Sequence, residues 1–315
     1  MGERAVGILL SPAWVHRLAL GLCTATFLLI VVGGLVTNTG AALAVPDWPT
    51  TFGYNMFLFP WSEMVGGVFY EHSHRLLGAG VGLLTVALAV MLWITEGRRW
   101  VRWLGVAAVF AVAVQGVLGG LRVVLVEDGI AIVHGALAQA FFGLTVGLAL
   151  FTSPSWAGAA PTPAADALFL RRLALLTTGV VYLQIVLGAF LTHFGARLDG
   201  HLAGAAALAL LIPALALRVQ RGHALRPALA LPARALLGLL ALQLGLGLGA
   251  YAGRFTGLAL PLAPHSVLAF PVAHRLTGGL LLAASLLLTL RCHRLLAPPE
   301  RGAAARELVS REVTA

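Results

Sequence analysis

Apolar runs of about twenty residues, the length that a membrane-crossing helix needs, recur eight times along this chain. They fall at roughly 16–37, 70–94, 103–122, 130–152, 172–193, 201–219, 235–252 and 270–290, with short polar breaks between most of them. The pattern predicts an all-α polytopic membrane protein of eight transmembrane helices. The first run, Leu18 to Val36, is followed by Ala42-Leu43-Ala44, which resembles a cleavage site. It is longer than a signal-peptide core of about 7–15 residues and reads as a retained span.

The polar breaks set an orientation. All 21 basic residues are arginines, and 16 of them fall on one side of the predicted spans. These are Arg4, Arg17, Arg98, Arg99, Arg102, Arg171, Arg172, Arg218, Arg221, Arg226, Arg234, Arg291, Arg294, Arg301, Arg306 and Arg311. Positive residues accumulate in cytoplasmic loops, so both termini are expected in the cytoplasm. The chain is 59% hydrophobic and 10% charged, against about 25% charged in soluble domains. The net charge of +9 is therefore a loop property, and nucleic acid is not an expected partner. Cys23 and Cys292 both fall on the expected cytoplasmic side, so a disulfide is not predicted and no CxxC metal motif exists. No nicotinamide or flavin site is visible.

Spans three, five and seven share a phrase beginning Gln115-Gly-Val-Leu-Gly, Gln184-Ile-Val-Leu-Gly and Gln243-Leu-Gly-Leu-Gly. A weaker version, Val31-Val32-Gly33-Gly34-Leu35, lies in span one. His-Arg-Leu occurs at His74 and again at His274. Such self-similarity implies duplication: two pseudo-symmetric four-helix bundles, residues 1–152 and 171–296, joined by a cytoplasmic linker at 153–170 and followed by a tail at 297–315.

The candidate chemistry lies at one end of alternate spans. His74, His134, His201 and His274 each open an even-numbered span, hence they share one depth near the outer face. Intramembrane histidines are costly and usually functional, and imidazole is a common axial ligand of heme iron. Two pairs, one per half, suggest two hemes. His16, His223 and His293 are expected on the cytoplasmic side in solvent, and His193 and His265 near the outer surface. His72 is two residues from His74 and points to another helix face.

Glu71 shares a helix face with His74, and Arg75 follows four residues after Glu71. A carboxylate there can act as a base or steady a developing cation; it can equally pair with Arg75 or favour the helix N-terminus. Arg75 and Arg275 each follow a ligand candidate and suit heme propionates or simple interfacial anchoring. The long loop from Asn38 to Trp61, with Pro46-Asp47-Trp48-Pro49, can form a lid or pack at the interface through Trp48 and Trp61.

At these residues the chain resembles the heme A synthase family. The likeness covers about residues 16–292. It rests on Gly33-Gly34-Leu35 with Thr37 to Gly40, Pro46-Asp47-Trp48-Pro49, Glu71-x-x-His74-Arg75, Leu118-Gly-Gly-Leu-Arg-Val123, and His134, His201 and His274. The resemblance implies an oxidoreductase of the bacterial cytoplasmic (inner) membrane. Its substrate is heme O, whose ring methyl is converted to a formyl group by successive oxidations and loss of water. It also implies a heme b cofactor on His201 and His274, a substrate heme on His74 and His134, Glu71 as the catalytic carboxylate, and heme O synthase and cytochrome oxidase assembly as partners. A homo-oligomer stays open. Many bacterial members carry a cysteine pair in the first outer loop; Ala44-Val45-Pro46 and the residues after it have none. A diheme b-type electron-transfer protein, or a non-catalytic heme carrier, would present the same four histidines.

Overall fold

The computed structural model describes residues 11–256 and 264–299, with the side chains of 264–267 left aside. Arg4, Arg301, Arg306, Arg311, the side chain of His265 and nearly all of the predicted tail therefore lie outside the described residues. Eight helices are long and apolar enough to cross a membrane. They are α1 (Pro12–Asn38), α2 (Gly67–Thr95), α3 (Arg99–Leu125), α4 (Asp128–Phe151), α5 (Ala167–Phe194), α6 (Leu198–His223), α7 (Pro227–Phe255) and α8 (Pro264–Leu295). Each extends beyond the apolar run that predicted it, because polar residues at the ends continue the helix into the interfacial region. The shortest, of 24 residues, reaches about 36 Å at 1.5 Å per residue, enough for a hydrocarbon core of about 30 Å.

The helices close two rings in the same order. α1 packs on α2, α2 on α3, α3 on α4 and α4 back on α1; α5 to α8 repeat the circuit. The rings meet where α4 touches α5 and α8, and α1 touches α8. Ile30, Phe142 and Val146 fill that seam, with Leu276, Ala283 and Leu287 against them. Leu83, Phe110, Leu210 and Leu248 point outward with at least two-thirds of their surface open. In water that would be costly; on a membrane protein it is the lipid face. Pro213, Pro232 and Pro271 lie inside helices, a frequency tolerated when neighbouring helices and side chains re-satisfy the freed carbonyls.

The arginine-rich end is more ordered than a linker implies. The segment after α4 forms a one-turn helix, Pro154–Ala157, and α5 begins at Ala167 rather than 171. Thr162 and Pro163 pair in parallel with Leu296 and Ala297 beyond α8. Phe151 stacks edge-on between Trp100 and Trp156, at 4.8 and 4.9 Å between ring centroids. His223 departs from the solvent-exposed expectation: it is buried, and its Nε2 lies 3.1 Å from Asp166 Oδ1. The partner comes from 57 residues away, at the start of α5, so nothing local to His223 signals it. His293 is exposed as expected, and His16 is half-buried against Thr152.

Candidate active site

The four histidines occupy one repeated setting. Each lies on an even helix and lays the Cε1 edge of its ring against a glycine in the last third of the preceding odd helix. An added Cβ would come within 3.0 Å of His74 at Gly33, 3.3 Å of His134 at Gly119, 3.4 Å of His201 at Gly188 and 2.9 Å of His274 at Gly247. A side chain at Gly33 or Gly247 would push the imidazole away, so glycine here is a matter of space rather than of backbone angle. These are the glycines of the repeated phrase.

In three of the four settings the residue four positions before the glycine is a glutamine that ties the odd helix to the histidine. His274 Nδ1 lies 3.1 Å from the Gln243 carbonyl oxygen, and the Gln243 amide nitrogen is 3.1 Å from His274 Nε2. An amide NH2 can only donate, so Nε2 accepts and Nδ1 carries the proton. That tautomer leaves Nε2 unprotonated, as a metal ligand requires, and the Gln243 amide, which occupies its lone pair here, would turn aside when a metal binds. The buried Nδ1 atoms of His74, His134 and His201 make no hydrogen bond among the described residues, although the main chain of Leu29, Gln115 and Gln184 acts on those rings. Gln115 and Gln184 also donate from their amides to the carbonyls of His134 and His201, at 3.1 and 2.7 Å. Span one has Leu29 in place of the glutamine, so His74 lacks this tie.

Within the C-terminal half the rings of His201 and His274 are 6.1 Å apart between centroids, at 64°. Two imidazoles sharing one metal at about 2 Å per bond place their centroids roughly 6 Å apart. The glycine cradles and this spacing fit a bis-histidine heme. In the N-terminal half His74 and His134 are also close enough for their charges to act on one another.

The carboxylate and the first loop belong to the N-terminal half alone. Glu71 is buried on α2. One oxygen accepts from the Val45 amide at 2.9 Å and the other from Arg75 at 2.9 Å. Arg75 gives its remaining terminal donors to the carbonyls of Asp47, Thr50 and Val45 at 2.7, 3.0 and 2.9 Å. Its guanidinium is thus committed to the loop, and the expected approach of Arg75 to a propionate has no geometric support. His72, on the other face, lies against Thr51 at 3.1 Å and Phe59 at 5.0 Å. Trp48 rests on Gly120 of α3, where a Cβ would fall 2.2 Å from its ring. Asp47 holds its own turn through Thr50 Oγ1 and the amides of Phe52 and Gly53. The loop is therefore fastened to α2 and α3 without a cysteine, while Trp48 and Trp61 stay exposed.

Sequence reasoning missed Arg122 as a site residue. It stands at the end of α3, within electrostatic reach of Glu71, His74 and His134. The signal was present in Leu118-Gly-Gly-Leu-Arg-Val123, which was read as a family marker and not as a charge facing the histidines.

These features define an integral membrane protein whose two helical rings each hold a pair of interior histidines, one ring capped and carrying a carboxylate. Residues 16–199 match the cytochrome oxidase assembly protein family COX15-CtaA; this is more than half of the chain, which belongs to that family. Among similar proteins, the heme A synthase of Shouchella clausii (strain KSM-K16) is 38% identical over 113 residues, 33% of this chain and 35% of the relative. The heme A synthase of Bacillus pumilus (strain SAFR-032) is 31% identical over 139 residues, 42% of this chain and 44% of the relative. The chain thus spans less than half the length of the curated relatives it matches. The family match takes in Glu71, His74, Arg75, Arg122 and His134 and stops before His201.

Proposed function

We propose that this protein is a heme A synthase: it oxidises the ring methyl of heme O to a formyl group. His74 and His134 hold the substrate heme, and His201 and His274 hold a heme b cofactor, which supplies the redox chemistry when bound. The observation that carries this reading is an asymmetry. Both halves offer the same glycine-backed imidazoles, but only the N-terminal pair has a buried carboxylate beside it. A bound, unaltered heme needs two ligands; a heme that is chemically changed needs a further group. Glu71 is that group. Its two oxygens are held by Val45 and Arg75, so it meets the substrate in a fixed position, where it steadies positive charge or takes a proton. The cap formed by residues 39–66 closes over it and limits water.

In this reading the histidine end faces the periplasm and the arginine-rich end the cytoplasm of a bacterial inner membrane. Heme O synthase is the fitting donor of substrate, and cytochrome oxidase assembly takes up the product. Co-expression with a source of heme O, followed by heme extraction and mass analysis, tests the activity. The formyl product is expected. Inserted, heme b-loaded protein that leaves heme O unchanged would support an electron-transfer or carrier role instead.

A further inference from the structure

Four ionisable side chains from four helices gather at the histidine end of the seam between the rings. Arg122 comes from the last turn of α3, Asp128 from the first turn of α4, His193 from the last turn of α5, and Arg275 from α8 beside His274. His193 Nδ1 is 3.8 Å from Asp128 Oδ1. Arg275 lies near Arg122, and both act electrostatically on His193. The aliphatic stem of Arg275 runs past Gly34 of α1, so it points along the seam and not into lipid.

The charges do not balance. Asp128 is 63% exposed, which weakens its pull, and Glu71, which also acts on Arg122, is already paired with Arg75. Neither Arg122 nor Arg275 donates a side-chain hydrogen bond to any described residue, whereas Arg75 is bonded to four acceptors. A guanidinium has five donors in a fixed fork. Two half-buried ones within electrostatic reach of one another repel and lack side-chain acceptors among the described residues, an arrangement that an anion between them would complete. Arg122 also faces the His74 and His134 pair, so the missing anion belongs beside whatever those imidazoles hold.

We propose that this seam is a carboxylate-binding site for the propionate edge of the porphyrin carried by the N-terminal half. Arg122 is its principal contact, and Arg275 and His193 of the C-terminal half complete it. The proposal rests on the heme reading above and adds to it: the substrate's orientation is set by a site that both halves build. Arg122, not Arg75, performs the propionate role in the N-terminal half. Guanidinium binds carboxylate bidentately, with a geometry that lysine does not reproduce.

The test compares binding of heme with binding of heme dimethyl ester, whose carboxylates are blocked, to the full-length heme b-loaded protein in phosphatidylcholine nanodiscs. Wild type is expected to prefer the free acid at least about tenfold. Arg122→Gln should weaken free-acid binding about ten- to a hundredfold, leave ester binding unchanged and keep the heme b spectrum; Arg122→Lys should restore part of the preference. Equal binding of acid and ester by wild type, or equal loss of both in Arg122→Gln, would overturn the proposal. So would a preference that vanishes when phosphatidylglycerol is added, since the seam would then be a lipid-phosphate site. No saturable porphyrin binding by wild type would instead strike at the substrate-heme reading itself.

Discussion

The two halves share a scaffold and differ in chemistry. In each, glycines on odd helices back imidazoles on even ones, and a ring of four helices closes around them. Three residues before His74 on α2 stands Glu71; three residues before His201, its counterpart on α6, stands Leu198. A 28-residue segment caps the N-terminal site, at 39–66, with Trp48 on Gly120 and Asp47 at its turn. The segment in the equivalent place, between α5 and α6, is only residues 195–197. The same order of helices and the same glycine-backed imidazoles occur twice, and among the described residues only the N-terminal set has a buried carboxylate beside it. The position that changed is a single helical turn from the ligand, close enough to act on what the ligand binds.

Five substitutions would break or sharpen that contrast. The largest effect is expected from Glu71→Ala, which should lower heme O conversion by about a hundredfold or more while leaving the heme b spectrum intact. Loss of heme b in that variant would show that the carboxylate serves structure. Next is Gly247→Ala, whose Cβ would sit 2.9 Å from His274. Overpacking of about 1–3 kcal/mol corresponds to heme b retention weaker by about five- to a hundred-and-fiftyfold, measured by spectral titration. Gly188→Ala, with 3.4 Å available beside His201, should retain heme b nearly as well as wild type.

A smaller effect, confined to the cap, should follow from Gly120→Ala. The new methyl displaces Trp48, so limited proteolysis within 39–66 should quicken with heme b unaffected. Mildest is the turn held by Asp47. Partial burial opposes its ionisation, but bonds from the Thr50 hydroxyl and the Gly53 and Phe52 amides outweigh this and hold the carboxyl below its usual range. A lowered folded-state pKa contributes stability above the ordinary value of about 3.9. That contribution fades as pH falls through the lower folded value. The protection factors of the 45–53 amides should therefore fall on acidification below about pH 4, and Asp47→Asn should show the low protection at every pH.

The spans and the four histidines were legible because bilayer thickness imposes a length, and because a histidine stands out against leucine. The repeated Gln-x-x-x-Gly phrase was legible as repetition; its meaning was not, since register between odd and even helices is a tertiary quantity. The fate of Arg75 was hidden for the same reason. Its neighbour Glu71 is four residues off and predictable, but its other acceptors are main-chain carbonyls 25 to 30 residues away. Arg122 and Arg275 are 153 positions apart and meet only because the rings dock along α1, α4, α5 and α8. His223 misled because a polar residue near a helix end ordinarily faces water, and its burial depends on Asp166 at the start of a different helix.

Heme extraction from purified protein made in the presence of heme O, with wild type set beside His74→Ala and His274→Ala, bears most directly on the division of labour. The account predicts that His74→Ala keeps heme b and loses heme O and its formyl product, whereas His274→Ala loses heme b. Identical heme content in the two variants, whether both full or both empty, would contradict it.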